Sequence, residues 1–391
     1  MSGPRLLVVS PPCYQPVNRA VYRELVECHD IDLHLVVPCQ LFVGDRWRDA
    51  PAGDAEPYEL TALNIKGTHG RLRRMQGLGS LAAAWKPTHV LVDSDPASLM
   101  TRQAALACPG AKVWALTAEN LAPQYGRDLW AGLTGLNPAG IAGPVFTWLM
   151  RKFVHEKVDR VFTLSRDGTR VMEAMGFAGR ATQIPLGFDP AIFRIQPAEQ
   201  IAATRSLLGL NQRVIAYFGR LTPEKGVHLL LEALGTLKDL PWQFLIDRFS
   251  DYETEYISEL QTKIGAMGLS DRVVYFDARH EEMPDFMNAA DIVVLPSLST
   301  SKWKEQYGRV LPEAMACGKV VVGSDSGTIP ELVAGRGRIF AEGDVPALSR
   351  VLRELLLADD LKQIGGQAAV YAHEQLSITR QAEIWAGLLK S

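Results

Sequence analysis

Asp291-Ile292-Val293-Val294-Leu295-Pro296 is the stretch on which the fold turns. Four consecutive aliphatic residues without polar alternation read as a strand buried on both faces, the kind found in parallel sheets. Working outward, similar β-rich runs lie at 272–276, 243–247 and 213–219 on one side and at 319–323 on the other. The first half repeats the pattern at 5–10, 32–37, 89–93, 112–117, 160–164 and 181–185. Helical periodicity fills the gaps, as in Ala97–Ala107, Pro144–Val158 and Val227–Leu237. Strand and helix in alternation predict an α/β chain with a helix-covered parallel sheet formed twice. Proline and glycine gather at Pro185-Leu186-Gly187-Phe188-Asp189-Pro190, and Gln196-Pro197 opens the next helix. The break between a domain at 1–190 and a second from 191 falls there, and 391 residues suit two domains. Two doubly wound domains with a cleft between them place a ligand at the carboxyl ends of their strands. Fold alone does not name that ligand.

Composition narrows the classes. Apolar residues make up 47% and charged residues 22%, the balance of a soluble globular protein, and a net charge of −3 supplies no basic field for nucleic acid. The first half is slightly basic and the second acidic. Lys66, Arg71, Arg73 and Arg74 sit close together, and Arg151, Lys152 and Lys157 share a predicted helix. These cations read either as a solvated surface or as a weak anchor for an anionic membrane face. Cys13, Cys28, Cys39, Cys108 and Cys317 are isolated, with no metal spacing, which fits a reducing compartment. The apolar run at 5–10 is too short for a signal peptide, and no run reaches membrane-spanning length. The expectation is a cytoplasmic protein, at most peripheral to the inner face of a membrane.

Two segments of the second half carry the chemistry. In Tyr217-Phe218-Gly219-Arg220-Leu221-Thr222-Pro223-Glu224-Lys225-Gly226 a strand ends and a helix is expected near Pro223, with Thr222 as its N-cap. Gly219 lets the backbone turn, and Arg220 and Lys225 frame a helix start that already attracts anions. Two cations framing a strand–turn–helix point to a diphosphate. In Glu305-Gln306-Tyr307-Gly308-Arg309-Val310-Leu311-Pro312-Glu313, Gly308 opens the backbone where a helix should begin, and Glu313 falls about one and a half turns in. The two carboxylates read either as exposed helix charges or as acceptors, Glu313 for vicinal ribose hydroxyls and Glu305 for those of a sugar.

The pairing of the Gly219-Arg220…Lys225 clamp with Glu305-x7-Glu313 resembles the family-4 retaining glycosyltransferases of GT-B fold. Further matches are Ile184-Pro185-Leu186-Gly187-Phe188-Asp189, Ala290–Ser297 and Gly323-Ser324-Asp325-Ser326-Gly327-Thr328-Ile329-Pro330-Glu331, so the likeness covers most of 160–340. The resemblance implies a hexosyltransferase with two Rossmann-like domains. Its donor is a nucleoside diphosphate sugar, GDP- or UDP-linked, used without a metal or other cofactor. Its acceptor is a saccharide or a lipid-linked molecule of surface polysaccharide or glycolipid synthesis. It gives 1–190 to the acceptor, 191–372 to the sugar nucleotide, and 373–391 to a helix returning to the first domain. Arg220 and Lys225 are implied to neutralise the diphosphate, with the backbone of Tyr307, Gly308, Arg309 and Val310 completing the cradle. Glu313 holds the ribose, Glu305 the transferred sugar, and Asp277, Ala278 and Arg279 lie by the base.

The chain departs from the family in three places. Phe276 stands where a glycine is usual at the strand end before the base loop. Ser10-Pro11-Pro12-Cys13-Tyr14-Gln15-Pro16-Val17-Asn18 lacks the glycine-rich turn that approaches the phosphate, so either Asn18 substitutes or the contact is absent. Glu119-Asn120 stands in place of a histidine after a strand, either positioning the acceptor hydroxyl or fixing its loop. Asp93-Ser94-Asp95 spells the metal-binding motif of the other large glycosyltransferase fold, but the diphosphate already has its cations elsewhere, so these acids read as acceptor-side or structural. A sugar-nucleotide epimerase of the same architecture and a non-catalytic sugar-nucleotide sensor are the rival readings. A nicotinamide dehydrogenase is disfavoured because no Gly-x-Gly-x-x-Gly follows the strands at 5–10 or 213–219.

Overall fold

A computed structural model describes residues 3–43, 46–51, 55–68, 70–121, 145, 149–150, 153–248 and 255–391. The chain divides into two compact units, one formed by Met1–Gly187 with Ile378–Ser391 and the other by Phe188–Ser377.

The second unit is built on a six-stranded parallel sheet in the order 273–276, 242–247, 213–217, 292–295, 320–324, 338–340. Strand 292–295 sits near the middle, with Ile292 beside both Ile215 and Val320, which is why all four of its residues are buried. Chain order along the sheet runs outward both ways from the neighbours 213–217 and 292–295. Their carboxyl ends therefore mark the point where connections diverge and a crevice opens. Helix Val227–Gly235 buries Val227, Leu230, Leu231, Ala233 and Leu234, the spacing of one apolar face.

The first unit repeats the plan with seven parallel strands in the order 181–183, 160–163, 112–117, 89–93, 5–9, 32–38, 59–63. Here the divergence falls between 5–9 and 89–93. Two small hairpins, 40–43 with 46–49 and 65–66 with 74–75, are appended to it. Helix Ile378–Leu389 completes this unit by stacking Trp385 on Tyr22 of helix Ala20–His29, ring centroids 5.8 Å apart.

The chain crosses over at 187/188 and 377/378, so Phe188-Asp189-Pro190 and residues 373–377 lie in the second unit. The reason is local. The Phe188 N–H donates to the Leu376 carbonyl at 3.2 Å and the Phe188 ring meets His373, 5.3 Å between centroids. Of the helix expected at 144–158, residues 145, 149–150 and 153–157 are helical, whereas Arg151 and Lys152 lie outside the described residues. Strands 59–63 and 338–340 are additions to the expected set. Among the described residues no helix is long and apolar enough to cross a membrane.

Candidate active site

Strand Arg213–Tyr217 delivers Gly219 and Arg220 to the crevice of the second unit, and the Tyr217 hydroxyl donates to the Arg220 carbonyl at 2.7 Å, fixing the turn. The Arg220 side chain is exposed and makes no hydrogen bond or ion pair with the described residues. Thr222 does not cap a helix as its sequence suggests. Its side chain makes no cap bond, and Pro223–Lys225 forms a single 3₁₀ turn closed by the Lys225 N–H on the Thr222 carbonyl at 2.9 Å. The helix begins only at Val227, because Gly226 breaks the path with φ of 70°. A Cβ on Gly226 would overlap the Pro296 carbonyl oxygen, so glycine is what lets this turn lie against the end of strand Ile292–Leu295. The Leu298 N–H donating to the Glu224 carbonyl at 2.8 Å ties the two loops together.

That junction brings Lys225 and Glu305 into contact across 80 residues of chain. The Lys225 ammonium donates to Glu305 Oε2 at 2.6 Å, and the Ser297 hydroxyl donates to the same oxygen at 2.7 Å. The lysine side chain is 12% exposed and the glutamate 6%, so the pair is held largely out of water. The Lys225 ammonium also sits over the Trp303 ring, 4.9 Å from its centroid. The Glu305 backbone is pinned as well: its carbonyl accepts from the Thr328 N–H at 3.3 Å.

Glu305 and Glu313 are not exposed helix charges. Gly308, at φ of 75°, precedes a seven-residue helix, Val310–Ala316, and a Cβ there would stand 2.9 Å from Leu295 Cδ2. Glu313 therefore lies in the first turn rather than one and a half turns in, and is buried. Burial raises its pKa to about 7, against the lowering pull of Arg309, whose Nε is 3.6 Å from Glu313 Oε1. Tyr307 is buried, and Arg309 and Val310 are half-buried. Asp277, Ala278 and Arg279 follow strand Val273–Phe276, with the Arg279 guanidinium 3.0 Å from Glu282. Phe276 fills the glycine position by stacking on Phe286 at 4.4 Å and meeting Phe218 at 5.6 Å.

The remaining candidates lie in the first unit, where each is engaged locally. The Asn18 amide donates to the Pro12 carbonyl at 2.8 Å, holding the loop after strand 5–9. Glu119 accepts from the Leu121 N–H at 3.2 Å and lies 3.4 Å from Arg71, which also bonds Asp95 at 2.9 Å. Arg73 donates to the Phe42 carbonyl at 2.7 Å. Arg71 and Arg73 are thus structural members of this unit rather than solvated surface charges. Asp93 accepts from the Ser10 hydroxyl at 2.8 Å, and burial raises its pKa to about 6. Pro11, Leu41, Arg71, Arg73, Asp95 and Met100 help line a cavity of about 260 Å³ beside it. The joining of Asp95 to Glu119 through Arg71 had no signal in the sequence beyond a basic cluster, and neither Ser297 nor Trp303 stood out as a member of the donor-side group.

The segment that builds the Lys225–Glu305 group has recognisable kin. Residues 201–369 match the family model of glycosyl transferases group 1. The matched segment holds Arg220, Lys225, Glu305 and Glu313 and lies within the second unit. The lipopolysaccharide core biosynthesis mannosyltransferase LpsB of Rhizobium meliloti is 32% identical over 40% of this chain and 45% of its own length. A D-inositol 3-phosphate glycosyltransferase of Corynebacterium jeikeium is 33% identical over 48% of this chain and 46% of its own. The chain thus spans about half the length of the curated relatives it matches. The family and both relatives are glycosyltransferases, a class of transferase enzymes. Among solved structures, Anabaena HepE in complex with UDP is similar with a TM-score of 0.72 and 18% identity, over 98% of this chain and 99% of that one. A Rickettsia africae glycosyltransferase is similar with a TM-score of 0.74 and 14% identity, over 100% of this chain and 98% of that one. The fold is the α/β GT-B fold, two Rossmann-like units.

Proposed function

We propose that the protein is a retaining glycosyltransferase of the family-4 type, moving a sugar from a nucleoside diphosphate sugar to a saccharide or lipid-linked acceptor. The work would lie in surface polysaccharide or glycolipid synthesis on the cytoplasmic side of a membrane. The observation that carries this reading is the Lys225–Glu305 pair at the carboxyl ends of strands 213–217 and 292–295, with Arg220, whose side chain has no ion pair among the described residues, on the same turn as Lys225. A diphosphate needs fixed positive charge where it leaves, and a sugar ring needs a carboxylate for its hydroxyls. Both follow the carboxyl ends of neighbouring strands in one unit.

In this reading the bond from the anomeric carbon to the donor phosphate breaks with positive charge building on the sugar and negative charge on the diphosphate. Arg220, Lys225 and the backbone of Tyr307, Gly308, Arg309 and Val310 meet the leaving charge, Gly219 giving the diphosphate room to approach. The departing phosphate oxygen takes the acceptor hydroxyl's proton on the face where the new carbon–oxygen bond forms, so configuration is retained. Glu305 holds the transferred sugar, Glu313 the ribose, and Asp277, Ala278 and Arg279 border the base. Glu119, oriented by Arg71, meets the acceptor, and Asn18 holds the loop after the first strand. Because side chains supply the positive charge, no divalent metal is called for, and chelation leaves the rate unchanged. HepE was solved with UDP-glucose, which favours a uridine donor as the first to try over a guanosine one.

Thermal unfolding in the presence of UDP, GDP and their sugars tests the donor assignment. A ligand at 100 times its Kd raises stability by about 2.7 kcal/mol. Arg220→Ala and Lys225→Ala each lower turnover roughly 10²-fold, mainly in kcat. Absence of any nucleotide shift, or full kcat in both variants, overturns the proposal.

A further inference from the structure

We infer that Trp303 is a positioning residue whose ring face holds the Lys225 ammonium in place for a donor phosphate, a role that rests on the function proposed above. Lysine reaches its partner through four rotatable bonds, and an ammonium that must wait for a phosphate has every reason to wander. Here it is confined from two sides. Glu305 Oε2 takes one N–H at 2.6 Å, and the indole face lies 4.9 Å from Nζ at its centroid. Tryptophan carries the strongest π-face for a cation among the side chains. Unlike the carboxylate, it attracts the ammonium without competing as a second anion against an arriving phosphate.

The ring is placed by its own architecture. The Trp303 N–H and the Lys302 N–H both donate to Thr300 Oγ1, at 2.9 Å and 3.2 Å, and the Thr300 N–H returns to the Trp303 carbonyl at 2.6 Å. One residue earlier, the Ser299 N–H donates to Glu342 Oε2 at 2.7 Å and the Ser299 hydroxyl lies 3.0 Å from that of Ser326. The loop from 299 to 303 is thus tied both to itself and to the segments after strand 320–324 and strand 338–340. Such a built turn presenting a half-buried indole to a single ammonium is economical if the indole serves that ammonium, and is otherwise a large apolar ring left partly in water. Trp303 stands two residues before Glu305. The same short segment therefore fixes the lysine at the phosphate end and the carboxylate at the sugar end.

The experiment replaces Trp303 with mono-, di- and tetrafluorotryptophan, which weakens the ring's negative face while keeping its shape, and titrates UDP and GDP calorimetrically. The logarithm of Kd should rise linearly with fluorine count, reaching roughly tenfold weaker binding. In a Lys225→Met background the same series should be flat. Trp303→Phe should retain part of the affinity that Trp303→Ala loses, and kcat should fall in that order while the acceptor KM stays constant. Nucleotide binding by the parent chain that is indifferent to fluorination, or that responds equally in both backgrounds, overturns the role of Trp303 and leaves the glycosyltransferase reading standing. A parent chain that binds no nucleoside diphosphate overturns that reading, and this inference with it.

Discussion

Among the candidate site residues, Glu313 shows how far burial alters a carboxyl group. With its pKa raised to about 7 by burial, it stays protonated in the folded chain through a range where the unfolded chain has already released the proton. Between the ordinary carboxylate value of 4.5 and about 7 the folded state binds the extra proton. Stability from this group is therefore full below 4.5 and declines as pH rises to about 7, then levels. Glu313→Gln removes the titration, so the slope of unfolding free energy against pH in that window should flatten, which denaturant titrations at pH 5 to 8 would show. An unchanged slope counts against the burial argument. Lys225 and Glu305 behave differently because they compensate each other. Truncating one leaves the other's charge largely dehydrated, at a cost of about 3 to 5 kcal/mol for a fully buried pair. Lys225→Met with Glu305→Gln together should therefore destabilise less than the sum of the singles, a difference a double-mutant cycle reads directly. None of this was visible in the residue types alone. Lysine and glutamate 80 positions apart declare no partnership until two strand ends are side by side.

At the scale of elements, what the sequence reveals depends on where an element sits in its sheet. Strand Ile292–Leu295 is legible because it is central and buried on both faces, so its apolar run admits one reading. Strand Arg338–Phe340 is an edge with two exposed residues of three, and Glu59–Leu63 is an edge with none buried, so neither carries a hydrophobic signature. The turn before helix Val227–Gly235 shows a different kind of illegibility. Thr222-Pro223 has the chemistry of a helix start, yet the conformation of Gly226 decides where the helix begins, and that choice answers to Pro296 on another strand. The expected outcome for Gly226→Ala is a loss of about 2 kcal/mol or more, from the left-handed φ and from overlap with the Pro296 carbonyl. Urea unfolding would measure it. Because the same turn carries Lys225, the variant should also weaken nucleotide binding, whereas a glycine-to-alanine change at Gly79 of the first unit, where a Cβ meets nothing within 4 Å, should do neither.

For the molecule as a whole, each unit has its own sheet and core, and the chain closes the first unit last. Helix Ile378–Leu389 buries Ile378, Gln381, Ala382, Trp385, Ala386 and Leu389, and the Gln381 side chain accepts from the Gly187 N–H at 2.8 Å. Trp385 is 1% exposed, stacked on Tyr22 and edge-on to Phe162 at 6.2 Å, so the last residues of the chain supply part of the core of its first unit. Trp385→Ala should cost that unit about 3 to 5 kcal/mol, the range for removing a large buried aromatic. The nucleotide residues proposed above all lie in the other unit, apart from Asn18. Calorimetry therefore has a clear expectation: in Trp385→Ala a transition moves to lower temperature, and it is not the transition that UDP or GDP moves upward. If one cooperative transition carries both shifts, the two units unfold as a single body, and the division of labour between donor and acceptor units does not extend to their stability.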